Sequence, residues 1–163
     1  MITDLKRLMM KKPALTLAVA ESMTCGYVQA RVGGISGASN FFLGGLTAYT
    51  LEEKARQLGV QRAAARRVNG VSAGVAEQMA RGVCGLFRSE LGVATTGYAE
   101  RSPKDNVPDP FAWWALAHRR RGRFIVVRSG RVECPGATRV DAQTMVAEAV
   151  LAELITYLGE IRG

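Results

Sequence analysis

The sequence predicts an α/β fold: one domain, a three-layer α/β/α sandwich around a mixed sheet. Three observations carry this. A short apolar run at residues 15–20 and a second segment at 91–96 suit buried strands, and helical patterns alternate with them. Residues 111–117 and 124–132 read as two strands joined by a basic turn at 118–123, an antiparallel pair that makes the sheet mixed. No linker or internal repeat divides the 163 residues, a length that suits a single domain.

Each element follows from local pattern. Ile2, Leu5, Leu8 and Met9 recur at helical spacing until Pro13 ends the run. The strand at 15–20 passes through a turn at 21–26 into a short helix at 27–32. A glycine-rich loop at 33–37 leads to a strand at 41–50, interrupted by Gly44 and Gly45, and then to a helix at 52–58 closed by Gly59. A basic connection reaches Ser72, the expected N-cap of a helix through Phe87 with Val75, Met79, Val83 and Leu86 as its buried stripe. The strand at 91–96 ends at Gly97, and residues 100–106 are polar with a proline, hence a loop. A last helix is expected over about 140–158.

Composition narrows the function classes. Apolar residues make up 48% and charged residues 22%, enough for a core with a solvated surface and too apolar for disorder. The net charge of +8 favours anionic partners: a phosphorylated metabolite, nucleic acid or an acidic protein. Three cysteines without a CxxC pair, and His118 as the single histidine, argue against a disulfide framework and a Cys/His zinc site. The first ten residues carry charges within their apolar run, and no apolar stretch approaches membrane-helix length. A cytoplasmic protein with no membrane segment, metal or cofactor is the expectation.

In open α/β sheets ligands gather at the carboxyl ends of strands. Two hydroxyl-rich segments lie there, one around Ser22, Thr24, Cys25 and Gly26, the other around Thr95, Thr96 and Gly97. Such a turn can bind phosphate or present a nucleophile beside its oxyanion donors. Taken alone, Ser22 reads first as a helix N-cap, Lys54 as a solvated helix lysine and Tyr49 as a strand-end aromatic. Cys25 reads as a small packing residue or, near a helix start, as an activated thiolate. The cluster Arg119, Arg120 and Arg121, with Arg123, Arg128 and Arg131, is either a solvated hairpin or a nucleic-acid phosphate contact. Trp113 and Trp114 alternate faces, so at least one belongs to the core or to a subunit contact.

A longer pattern changes this balance. Ala18-Val-Ala-Glu-Ser-Met-Thr-Cys-Gly26 is similar to the AES-x-T-G-G segment of the CinA C-terminal-domain family. Gly37-Ala-Ser-Asn-Phe-Phe-Leu-Gly-Gly45 resembles its GAS-x-x-F-x-G-G segment. Ala48-Tyr49, Lys54 and Leu58-Gly59-Val60 resemble its AY-x(4)-K-x(3)-LGV stretch. Val71-Ser72 and Ala94-Thr-Thr-Gly97 are similar to its GAVS helix start and ATTG strand end. The five motifs keep the family's order over nearly the whole chain.

The resemblance implies a mixed sheet; a homo-oligomer is a separate expectation. The resemblance also implies the activity of nicotinamide mononucleotide deamidases, which hydrolyse the carboxamide to the acid and ammonia. The catalytic group it implies is Ser22 as nucleophile, Lys54 as base and Tyr49 as proton relay, with backbone N–H groups of residues 24–26 as oxyanion donors. The implied substrate cradle is Thr24, Cys25, Gly26, Gly44, Gly45, Thr95, Thr96, Gly97 and Arg139, around a phosphorylated small molecule.

The sequence departs from the family near this site. Cys25 replaces the first glycine of TGG, and the family's I-A-G-P continuation after ATTG becomes Tyr98-Ala-Glu-Arg-Ser-Pro-Lys104. Asp109-Pro110 stands for Val-Gly, and the late Gly-Asp-Arg reads Gly136-Ala-Thr-Arg139. The alternative expectation is therefore a catalytically impaired paralogue that binds a nucleotide or partner.

Overall fold

The computed structural model describes residues 2–163. Its strands are β1 (Leu17–Glu21), β2 (Phe42–Thr47), β3 (Leu91–Tyr98), β4 (Phe111–Arg120) and β5 (Arg123–Glu133). They form one sheet in the order β2-β1-β3-β4-β5. β1 runs parallel to both β2 and β3, and β4 runs antiparallel to both β3 and β5, so the sheet is mixed. The helices are α1 (Ile2–Met10), α2 (Tyr27–Gly33), α3 (Leu51–Leu58), α4 (Arg62–Arg66), α5 (Ala73–Phe87) and α6 (Arg139–Arg162).

The pleat divides the core into two layers. Leu17, Val19, Leu91, Val93 and Leu116 pack with Leu5, Met9, Val28, Val32, Leu154 and Leu158 of α1, α2 and α6. Ala18, Ala20, Ala94, Ala115 and Ala117 pack with Val75, Ala76, Met79, Ala80, Val83 and Cys84 of α5. Small residues on the second face let α5 lie close to the sheet. A Cβ on Gly92 would fall 2.4 Å from the Ala80 carbonyl oxygen, which only glycine avoids at this approach.

Several expectations need correction. The buried stripe of α5 runs through the pairs 75/76, 79/80 and 83/84, which leaves Leu86 exposed rather than in the core. The basic connection after Gly59 contains α4, and β2 is shorter than the 41–50 reading. The hairpin turn is only Arg121 and Gly122, both at positive φ (50° and 77°), the geometry of a two-residue connection. His118 lies in β4, buried, with Nδ1 2.7 Å from the Tyr157 hydroxyl. Burial, with Arg120 and Arg162 nearby, pushes its pKa down to about 4, so it is neutral at pH 7. Of the two tryptophans, Trp114 is the buried one. Among the described residues no helix is long and apolar enough to cross a membrane.

Candidate active site

The site begins where β1 ends. Glu21 is fully buried, and its carboxylate accepts the N–H groups of Gly26 (3.1 Å), Val28 (3.0 Å) and Gln29 (2.9 Å). It thereby satisfies donors at the start of α2 that the helix itself cannot. Ser22 is not that cap: the α2 N-cap position is Gly26, with no side-chain bond. Two further contacts pin the turn at 22–26. The Thr24 and Thr95 hydroxyls are 2.7 Å apart, and Gln143 of α6 donates to the Met23 carbonyl at 2.9 Å. Glu21 and Gln143 were not singled out in the sequence; a carboxylate at a strand end before a turn was the available signal for Glu21. Glu21→Gln turns an N–H donor toward this donor-rich pocket. A loss of about 1–3 kcal/mol in folding stability is expected, measured by denaturant titration.

Ser22, 4% exposed, donates from Oγ to the Tyr49 carbonyl oxygen at 3.5 Å. Lys54 donates from Nζ to the same oxygen at 3.2 Å. The shared acceptor, on the connection between β2 and α3, brings nucleophile and base candidates together. Lys54 is 3% exposed, and burial pushes its pKa down to about 8. Thr50 caps α3 by accepting the Glu53 N–H, which fixes the helix turn that aims Lys54 inward. Gly70 covers the lysine: a Cβ there would lie 3.5 Å from Nζ, and the Gly70 carbonyl accepts the Thr96 hydroxyl at 2.7 Å.

The Tyr49 side chain is half exposed and turns away from this pair. Its hydroxyl accepts from Arg139 Nη1 at 3.2 Å, while Arg139 Nη2 pairs with Glu100 at 2.5 Å. In this geometry the Tyr49 carbonyl, rather than the hydroxyl read as a proton relay, meets Ser22 and Lys54, and the hydroxyl holds Arg139.

A cleft of about 550 Å³ opens over these groups, a volume suited to a small ligand. Ser22, Tyr49, Lys54, Gly97 and Arg139 line it, and residues 98–102, 104 and 105 supply much of one wall. The segment that departs from the family pattern is therefore cleft wall. Thr24, Cys25, Gly26, Gly44, Gly45, Thr95 and Thr96 do not line the cleft. Thr24, Thr95 and Thr96 are buried supports. Gly45 is a close-approach site, since a Cβ there would meet the Val19 carbonyl at 2.5 Å, and one on Gly44 would meet Phe87 at 2.8 Å. Cys25 is exposed rather than packed and sits at φ 46°, where its side chain costs backbone strain but no cleft volume.

Of the N–H groups at 24–26 expected as oxyanion donors, two are engaged within the turn. Cys25 N–H is committed to the Ser22 carbonyl and Gly26 N–H to Glu21. The Met23 N–H, directly after Ser22, has no hydrogen-bond partner among the described residues, and Met23 lines the cleft. A neighbouring cleft of about 670 Å³ shares Asn69, Val71, Tyr98 and Asp105 with this one. Its charges are largely satisfied internally: Arg66 pairs with Glu52, and Arg131 pairs with Glu133 while covering Phe111 at 3.8 Å. In the basic cluster Arg128 pairs with Glu153 and Glu160, and Arg120 donates to Tyr157.

Residues 2–158 match the CinA C-terminal domain. The chain is 33% identical over 156 residues to a CinA-like protein of Chlorobium limicola, covering 95% of this chain and 36% of that protein. It is 39% identical over 122 residues to a CinA-like protein of Salinibacter ruber, covering 70% and 29%. It thus spans about a third of these relatives' length. A crystal structure of a competence-damaged protein (CinA) superfamily member from Klebsiella pneumoniae superposes with a TM-score of 0.86 at 22% identity, covering 98% of this chain and 96% of that one. Fold and site define an α/β protein in which a serine-bearing turn at a strand end meets a buried lysine over a cleft. The chain belongs to the CinA C-terminal domain family.

Proposed function

We propose that this protein is an amidohydrolase that uses Ser22 to deamidate nicotinamide mononucleotide or a related pyridine nucleotide. The observation that carries the reading is the buried Lys54, its pKa pushed down to about 8, sharing the Tyr49 carbonyl with Ser22. A lysine that loses its proton near neutrality is a usable base, whereas an ordinary surface lysine is not.

Ser22 Oγ attacks the carboxamide carbon as its proton passes to neutral Lys54 Nζ. The carbonyl oxygen becomes an oxyanion, which accepts from the Met23 N–H. Lys54 returns the proton to the departing nitrogen, the C–N bond breaks and ammonia leaves. Water, deprotonated by Lys54, then attacks the acyl-serine, releasing the carboxylic acid and regenerating Ser22. Arg101, Lys104 and Arg139 on the cleft wall favour an anionic substrate such as a nucleotide phosphate.

The second reading is a nucleotide-binding module without turnover, favoured by the Glu100–Arg139 ion pair at the cleft wall. The two separate on incubation with nicotinamide mononucleotide. The amidohydrolase releases ammonia and acid in equal amounts, with a rate that rises up to about pH 8 and then levels as Lys54 becomes neutral. Thermal stabilisation by the nucleotide with no ammonia formed would instead select the binding module.

A further inference from the structure

We propose that Glu100 is an internal anion that occupies the ligand-receiving edge of Arg139, so that an anionic ligand must displace it to be held. This rests on the reading that the cleft takes a phosphorylated ligand.

Arg139 is fixed from two sides. Nη1 donates to the Tyr49 hydroxyl at 3.2 Å, which orients the guanidinium, and Nη2 donates to Glu100 Oε1 at 2.5 Å. All three residues line the cleft, and they come from three separate parts of the chain: the β2–α3 connection, the loop after β3 and the first turn of α6. A guanidinium presents its donors in a fixed fork that suits carboxylate and phosphate alike. The Glu100 carboxylate therefore stands where one oxygen edge of a phosphate would stand.

The other acidic groups nearby are committed elsewhere. Asp105 accepts the Ser102 hydroxyl at 2.5 Å, and Asp141 is tied to Thr138 at 2.6 Å. Arg101 and Lys104 also line the cleft and have no carboxylate partner among the described residues. Of the cleft's anion-receiving cations, Arg139 is thus the one carrying an internal competitor.

Glu100 and Arg139 are both substantially solvent-exposed, with side chains 61% and 45% accessible, so their pairing is weak and reversible. A phosphate dianion can displace a weakly held carboxylate, at the cost of the lost pairing and of repulsion from Glu100 nearby. Glu100 accordingly sets an affinity threshold for anions, and removing its charge lowers the threshold.

The experiment measures inorganic phosphate binding by calorimetry at low salt for the wild type, Glu100→Gln and the double variant Glu100→Gln/Arg139→Gln. Roughly tenfold tighter phosphate binding is expected for Glu100→Gln, with the gain abolished in the double variant. Equal affinity in wild type and Glu100→Gln would overturn the proposal. A gain that persists without Arg139 would overturn it too, by placing the anion on Arg101 or Lys104. No turnover is read, so an absence of amidohydrolase activity leaves this test intact.

Discussion

Replacing Lys54 with methionine is expected to abolish ammonia release and, in the same protein, to raise folding stability below pH 8. Both effects follow from one fact, the burial of an amine that prefers water. Methionine fills similar space without a charge, so the base is lost and the desolvation penalty goes with it. The pH dependence has a definite sign. The folded-state pKa of about 8 lies below the ordinary 10.5, so between these values the unfolded chain holds a proton that the native one has released. Lys54 therefore destabilises the wild type fully below about pH 8, and that cost fades as pH rises toward 10.5. The variant's advantage is on the order of 3 kcal/mol at pH 7 and shrinks toward zero above pH 10. Denaturant titrations at pH 7 and pH 10 read this directly. A variant less stable than wild type at pH 7 would show that Lys54 is held by favourable contacts rather than at a cost.

The second large effect is that of Ser22→Ala. Removing the attacking oxygen is expected to lower ammonia release by about four orders of magnitude or more. The fold is expected to survive, because the turn is held by Glu21, the Thr24–Thr95 contact and Gln143 rather than by Ser22. The Ser22 hydroxyl contributes only one long contact, to the Tyr49 carbonyl at 3.5 Å. Folding stability within about 1 kcal/mol of wild type, with nucleotide binding retained, completes the expected result. Turnover surviving in Ser22→Ala would mean that a water, activated by Lys54, attacks the amide directly.

The fold was legible because its signals are local. The apolar run at 15–20, the strand segment at 91–96, Ser72 before an amphipathic helix and the pair of strands after residue 110 each announce their element. Placement within elements was less legible. His118 looked like part of a basic turn because three arginines follow it, and only the hairpin register with β5 shows it to be interior. The site divided in the same way. Ser22 stood out at a strand end, but Lys54 sits among Glu52, Glu53 and Arg56, so by pattern it reads as solvated, and the family resemblance alone singled it out. Its burial depends on Gly70 and Thr96, which are distant in sequence. Tyr49 was legible as a residue but not as a carbonyl, since side-chain chemistry says nothing about which backbone group will be shared. Gly44 and Gly45 looked like a ligand cradle, whereas their neighbours are Phe87, Val19 and Gln29 of this same chain.

The protonation of Lys54 decides whether Ser22 has a base, and it can be followed without any substrate. Selective labelling of the lysines, with the Lys54 resonance assigned by its absence in Lys54→Met, gives its titration by NMR. A midpoint near pH 8, well below the other lysines, is the predicted result. A midpoint above pH 10, alongside the surface lysines, would contradict it, leaving Ser22 beside an ammonium ion that cannot serve as its base.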